Sequence, residues 1–219
     1  MNDINKDKDY YLRYLDYQYE RIKNKTDKLR NCENDEIRQR ILVSLTGYEI
    51  DLLKAEYSIG TSKEDIKVLF YRAVSIIKEY RKISRGDMLT LLSLSILLDV
   101  RPEMRELIEN NRDLIGNNRL LKCLAVYIES GEIEWNTTLE LEEENISINL
   151  VFEQDDKLKF LQEYHNNWYD NHKDYAWYNS HLSDSDAYCG YWSFETAAIA
   201  KIFNMDETDL KKMKYYPIL

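Results

Sequence analysis

Residues 7–30 read DKDYYLRYLDYQYERIKNKTDKLR, and the spacing within them decides the fold class. Tyr11, Leu12, Leu15, Tyr19, Ile22 and Leu29 recur at helical spacing, which draws one apolar stripe along an α-helix. Working outward, Ile37, Ile41, Leu42, Leu45, Tyr48, Leu52 and Leu53 continue the pattern in a second helix. Thr61-Ser-Lys-Glu64 has the form of a capping box for a third. The apolar face of that helix is Ile66, Leu69, Phe70, Ala73, Ile77 and Tyr80. Gly86 and Asp87 separate it from a fourth helix, from about Met88 to Leu98. Pro102 suits the first position of a short helix running to Ile108. The polar connections are short, which favours antiparallel packing of neighbours.

The polar stretch Asn111 to Asn118, with Gly116 inside it, is the candidate boundary. It suggests an N-terminal helical region over 1–115 and an acidic, aromatic-rich helical region over 116–219, packed as one unit. A helix is expected from Arg119 to Ser130. Glu132 to Glu153 then mixes acids with the β-favouring residues Ile146, Ile148, Leu150, Val151 and Phe152, and suits either a short hairpin or an irregular insert. Asp155 or Asp156 can cap a helix carrying Leu158, Leu161, Tyr164, His165 and Trp168. A short helix is expected around Trp177 and Tyr178, a stronger one from Tyr191 to Phe203, and a last turn, Glu207 to Lys212, capped by Asp206. The expected fold is all-α: a compact multi-helix bundle, with one hairpin or irregular insert near residues 132–153.

Composition supports this reading. Six glycines and two prolines in 219 residues are too few for the tight turns of a β-sandwich or barrel. At 44% hydrophobic and 32% charged, the chain is no disordered polyelectrolyte. Cys32, Cys123 and Cys189 are far apart, odd in number and without a CxxC, so a disulfide framework or zinc site is not expected and a reducing compartment fits. The charge-dense opening has no apolar signal-peptide core. Met88 to Val100 is too short to span a bilayer and is interrupted by Ser93 and Ser95. The expectation is a soluble cytoplasmic protein with no membrane association, no metal and no cofactor.

The net charge of −10 argues against direct nucleic-acid binding, which needs positive surface, and favours basic partners. Its distribution is uneven. Residues 1–110 hold twenty basic and twenty acidic residues, whereas residues 111–219 hold ten and twenty. The acids singled out are Glu140, Glu142, Glu143, Glu144, Glu153, Asp155, Asp156, Asp184 and Asp186. They are read either as a solvated surface aiding solubility or as an electrostatic footprint for a basic protein.

The late aromatic runs are the distinctive motifs: Trp168-Tyr-Asp170, Ala176-Trp-Tyr-Asn-Ser-His181, Tyr188-Cys-Gly-Tyr-Trp-Ser-Phe-Glu-Thr-Ala-Ala198, and the terminal Tyr215-Tyr-Pro217. Together they resemble the PoNi-like immunity proteins of bacterial polymorphic toxin systems, partners of PoNe-type DNase toxins. Gly190–Ala198 is the most specific piece. The first half resembles the family mainly in composition, and Glu132–Glu153 departs from its pattern. The resemblance implies an all-helical, non-catalytic antitoxin of interbacterial competition that binds its cognate nuclease and blocks it. The residues supply a mechanism: an acidic half to meet a DNase's basic cleft, and Tyr and Trp as anchors. The motif residues Trp168, Tyr169, Asp170, Trp177, Tyr178, Tyr188, Gly190, Tyr191, Trp192, Phe194 and Glu195 are themselves read as structural, since aromatics dominate cores as well as interfaces. Glu195 is expected to pair with a base across two helices.

Two other readings stand beside this one. A helical adaptor could bind a basic protein unrelated to nucleases. A small hydrolase could use His165, His172 and His181 with Asp170 and Asp174. That second reading lacks HExxH, GxSxG, P-loop or GxGxxG spacing, and no catalytic residue is assigned. The sequence leaves the cognate toxin and the oligomeric state open.

Overall fold

The computed structural model describes residues 1–80, 82–133, 148, 150–183 and 185–219. Among these the regular structure is all helical. It comprises α1 (Lys8–Arg30), α2 (Asp35–Ile59), α3 (Lys63–Ile77), α4 (Arg85–Leu97), α5 (Arg105–Asn110), α6 (Arg112–Gly116), α7 (Arg119–Ser130), α8 (Lys157–Asn166), α9 (Trp168–Asn171) and α10 (Phe194–Ile202). Short 3-10 turns lie at Arg101–Met104, Leu150–Glu153, Ser180–Leu182 and Leu210–Lys212. No helix among the described residues is long and apolar enough to cross a membrane. The chain forms two compact units: Met1–Asp87 with Asn179–Tyr191, and Met88–Tyr178 with Trp192–Leu219.

In the first unit α1 packs on α2 and α2 on α3. The buried stripe of α1 is Tyr10, Tyr11, Tyr14, Leu15, Gln18, Ile22 and Leu29. It is rotated from the expected one: Leu12 and Tyr19 are exposed. Gln18 is tolerated inside because its amide donates to the Tyr48 carbonyl at 2.8 Å, which removes the cost of an unpaired buried group. Asp7 caps α1 by accepting from the Tyr10 amide, and Asn34 caps α2 by accepting from that of Ile37. Gly60 ends α2 in the left-handed conformation at φ 98°, where glycine alone is free of strain.

The capping box before α3 is shifted by one residue. Ser62 is the cap and exchanges hydrogen bonds with the backbone and carboxylate of Asp65, while Thr61 donates to Glu56 at 2.5 Å. Ser84 does the same for α4 with Asp87, which starts that helix three residues before the expected Met88.

The core of the second unit is the buried run of α4 from Leu91 to Leu97, together with Leu107, Ile108, Leu120, Leu121, Leu124, Val151, Leu161 and the α10 face from Phe194 to Ala200. A side chain of this kind contributes roughly 1.5–3 kcal/mol when fully buried. Lys201 on α10 binds the carbonyls of Ile96 and Leu97 at the C-terminal end of α4, at 2.9 and 3.3 Å, and the Asp99 carboxylate at 2.7 Å. A cation is favourable there because a helix C-terminus carries negative partial charge. Asn118 caps α7 and Asp156 caps α8.

Three further local expectations differ from the structure. Residues 172–178, around Trp177 and Tyr178, form successive turns in place of a helix. The helix expected from Tyr191 begins at Phe194, because Ser193 has a non-helical backbone, φ −86° and ψ 73°, and gives its amide to the Tyr215 carbonyl at 2.9 Å. The helix expected at Pro102 divides into a 3-10 turn and α5. Within the insert, Leu150–Glu153 is a 3-10 turn; most of the hairpin reading falls on residues 134–147, which lie outside the described residues.

Candidate functional site

Four of the nine acids are described. Glu153, Asp155 and Asp156 are exposed around the start of α8 in the second unit. Glu153 is bound by Arg119 at 2.6 Å, and Asp156 accepts from the Lys159 amide at 3.0 Å. Two of the three carboxylates therefore hold the local fold, and Asp155 adds free surface charge beside them. Asp186 is exposed in the first unit. Glu140, Glu142, Glu143, Glu144 and Asp184 lie outside the described residues.

The aromatic motifs divide between the two units. In the second, one carboxylate organises the rings. Glu195 is 9% exposed. Its Oε1 accepts from the Trp168 indole at 2.6 Å, from the Ser193 hydroxyl at 2.7 Å and from the Tyr164 hydroxyl at 3.3 Å. These neutral donors stand where a basic partner was expected. They satisfy a buried acceptor while avoiding the desolvation of a second charge. Burial and the Glu195 charge push the Tyr164 hydroxyl far above its ordinary range.

Trp168 is itself buried, and the other rings layer outward from it. Trp177 stacks on Trp168 at 5.4 Å, and Tyr178 stacks on Tyr169 at 4.5 Å. His172 lies 4.9 Å from Trp168 and 4.8 Å from Tyr175. Tyr215 sits 5.2 Å from Tyr169 with its backbone at φ 66°, a strained setting for a bulky residue. Its carbonyl accepts from the Ser193 amide at 2.9 Å, which helps hold the strained turn. Tyr169, Trp177 and Tyr178 are half-buried, Tyr175 is exposed, and Asp170 beside them is exposed. Trp192 is half-buried and Phe194 buried.

In the first unit the motif acts as an anchor. Tyr188 is fully buried. Its hydroxyl donates to Asp3 at 2.6 Å and accepts from the Asn5 amide at 2.8 Å. Its backbone exchanges two hydrogen bonds with the Tyr10 hydroxyl, at 2.8 and 3.0 Å. Burial pushes the Tyr10 hydroxyl up to about 12. The Ser58 hydroxyl donates to the Cys189 carbonyl at 2.9 Å. Gly190 and Tyr191 are buried, and Tyr191 crosses Tyr188 edge-on at 4.6 Å. Asp3, Tyr10 and Ser58 were not singled out from the sequence. Their partners lie more than a hundred residues away, and no local spacing signals such a pairing.

Glu49 also escaped the sequence reading, and Cys189 was noted only for its spacing from the other cysteines and its place in the motif. Glu49 is fully buried and bound by Arg72 at 2.7 Å. Burial pushes its carboxyl up, and the guanidinium offsets part of the rise. The Cys189 thiol lies 3.6 Å from Asp51, and burial raises it first, with the acid adding to the effect. That setting makes a thiol inert, since the thiolate is the reactive form.

The histidines are spent separately. His165 meets the Lys214 carbonyl at 2.8 Å, His172 the Trp168 carbonyl at 2.6 Å, and His181 the Tyr191 hydroxyl at 3.0 Å. Among the described residues no group of three or more His, Cys, Asp and Glu is placed to hold a metal ion. A cavity lined by Cys123, Phe152 and Phe203 measures about 10 Å³, room for a single water at most. In the second unit, the described residues present half-buried and exposed aromatic rings and exposed carboxylates around a packed helical core.

No curated protein and no solved structure matches the chain. Family models do. The model for the N-terminal part of PoNe immunity proteins (PoNi) matches residues 3–109, and the model for their C-terminal part matches residues 116–218. Nearly the whole length is covered in the expected order, and the chain belongs to the PoNe immunity protein (PoNi) family.

Proposed function

We propose that this protein binds a cognate PoNe-type DNase toxin and blocks it by covering the surface through which the toxin holds DNA. Family membership carries the reading. The charge distribution supports the mode of action. A DNase must present positive surface to phosphates, and residues 111–219 of this chain hold an excess of ten acids. Attraction between such surfaces speeds encounter, which suits the interception of an incoming toxin.

The protein acts by occupying a surface, without catalysis. Its histidines and its Cys189 thiol are engaged in local contacts, and the motif aromatics are arranged for packing and contact. The test is a DNA-degradation assay with the nuclease domain of a PoNe-type toxin that binds this chain. Saturating protein is expected to abolish cleavage. Undiminished cleavage at saturation removes the reading and leaves the helical adaptor, which would bind a basic protein with no effect on DNA hydrolysis.

A further inference from the structure

The outer aromatic layer of the second unit is larger than its core requires. Trp168 is 5% exposed and already bonded to Glu195. Beyond it lie the half-buried rings of Tyr169, Trp177 and Tyr178, and Tyr175 at 42% exposure. Tyr175, Trp177 and Tyr178 are carried on turns over residues 172–178, so no helix periodicity obliges aromatic residues there. Asp170 and Asp174, on the same short segment, are both exposed. Ring faces beside carboxylates form a receptor for a guanidinium, which stacks on an aromatic face while its N–H groups bond to a carboxylate. The edge is also preorganised. Trp177 and Tyr178 are stacked on inner rings, so little side-chain freedom is lost on binding.

We propose that this edge, centred on Tyr175 and Trp177 and flanked by Asp170 and Asp174, receives an arginine of the nuclease's DNA-binding surface. The proposal rests on the function proposed above and adds the place of contact. Arginine is the expected occupant because a DNA-binding surface displays it to hold phosphates, and because its planar group fits both ring and carboxylate where an ammonium fits only as a point charge. The exposed Lys173 lies between the two acids in sequence.

The test uses the full-length chain and the purified nuclease domain made catalytically inactive, with association and dissociation rates measured at two salt concentrations. Tyr175→Ala and Trp177→Ala are expected to raise the dissociation rate at least tenfold. Asp170→Asn with Asp174→Asn is expected mainly to slow association and to flatten its salt dependence. Tyr17→Ala, at an exposed tyrosine in the first unit, is expected to leave both rates unchanged. Trp177 supports a stack, so its variant is read only if its thermal transition matches the wild type. Tyr175, at 42% exposure and outside the buried core, decides the matter alone otherwise.

Wild-type inhibition combined with Tyr175→Ala and Asp170/Asp174 variants that bind within twofold of wild type overturns the proposal and leaves the function standing. A wild-type chain that binds no nuclease overturns both. A concentration-dependent dimer dissolved by Tyr175→Ala, with nuclease binding unchanged, assigns the edge to a second copy of the chain and also overturns the proposal.

Discussion

Glu195 shows how a single residue ties the motif to the fold. Its buried oxygen takes hydrogen bonds from Trp168, Ser193 and Tyr164. Replacing it by alanine leaves buried donors unsatisfied, and a hydrogen bond to a charged group is worth about 1.5–3 kcal/mol. Glu195→Ala is expected to cost roughly 3 kcal/mol in urea-unfolding free energy, and a loss below about 0.5 kcal/mol would contradict the assigned role.

His165 gives a pH signature. Its Nε2 faces the Lys214 carbonyl and so donates, while Nδ1 has no protein partner. Burial is the leading cause that lowers its pKa below the ordinary 6.5. The unfolded chain therefore takes up the proton first as pH falls. The stability contributed by the neutral ring is full above about 6.5 and declines as pH drops toward the folded value. Unfolding free energies compared between pH 7.5 and 5.5 should fall more steeply for wild type than for His165→Gln. Equal slopes would show that the ring does not couple folding to protons. Residues such as Glu195 stood out in the sequence because an acid amid apolar neighbours is conspicuous. Asp3 and Glu49 did not, because an acid in a polar opening segment or within a helix looks solvated until the distant partner that buries it is known.

Helices were the most legible elements, and their ends the least. The buried line of α1 was read to within one position, because the helical period is a local property of the chain. Leu12 and Tyr19 were misplaced because which neighbouring stripe faces inward depends on where α2 lies. Caps were misjudged by one residue at Thr61, since both Thr61 and Ser62 carry a hydroxyl and only the chain path chooses between them.

Cap chemistry makes direct predictions at this scale. Asn118 accepts from the Leu121 amide at 3.0 Å, so Asn118→Ala is expected to destabilise by about 1 kcal/mol. At Gly60 a Cβ would lie 3.0 Å from the Met1 nitrogen, on top of a left-handed backbone. Gly60→Ala is expected to lower stability by about 1–2 kcal/mol, and an unchanged melting temperature would contradict the assigned turn. The turns at residues 172–178 were mistaken for a helix because aromatic spacing in a short stretch fits either geometry, and stacking on Trp168 is a tertiary event.

At the scale of the whole molecule, charge and fold separate into different kinds of information. All-α architecture followed from period and from the scarcity of glycine and proline. The family followed from the late aromatic runs, which the structure uses both as an anchor in the first unit and as a layered ring cluster in the second. The acids are different. Their number could be counted in the sequence, but their use only in part: the capping of α8 by Asp156 was legible from its position before an apolar helical run, whereas the pairing of Glu153 with Arg119, 34 residues away, depends on folding. Long-range attraction between exposed charges is screened over about 8 Å at physiological salt. Neutralising Glu142, Glu143, Glu144, Asp155 and Asp156 is therefore expected to slow association with the nuclease and flatten its salt dependence. An unchanged association rate would assign those acids to solubility.

The central claim is that the protein and DNA compete for one surface of the toxin. The most direct measurement follows labelled DNA bound to the catalytically inactive nuclease domain while the full-length chain is added. The account predicts that DNA is displaced, with complete release at one chain per nuclease. A stable ternary complex of DNA, nuclease and this protein would contradict it.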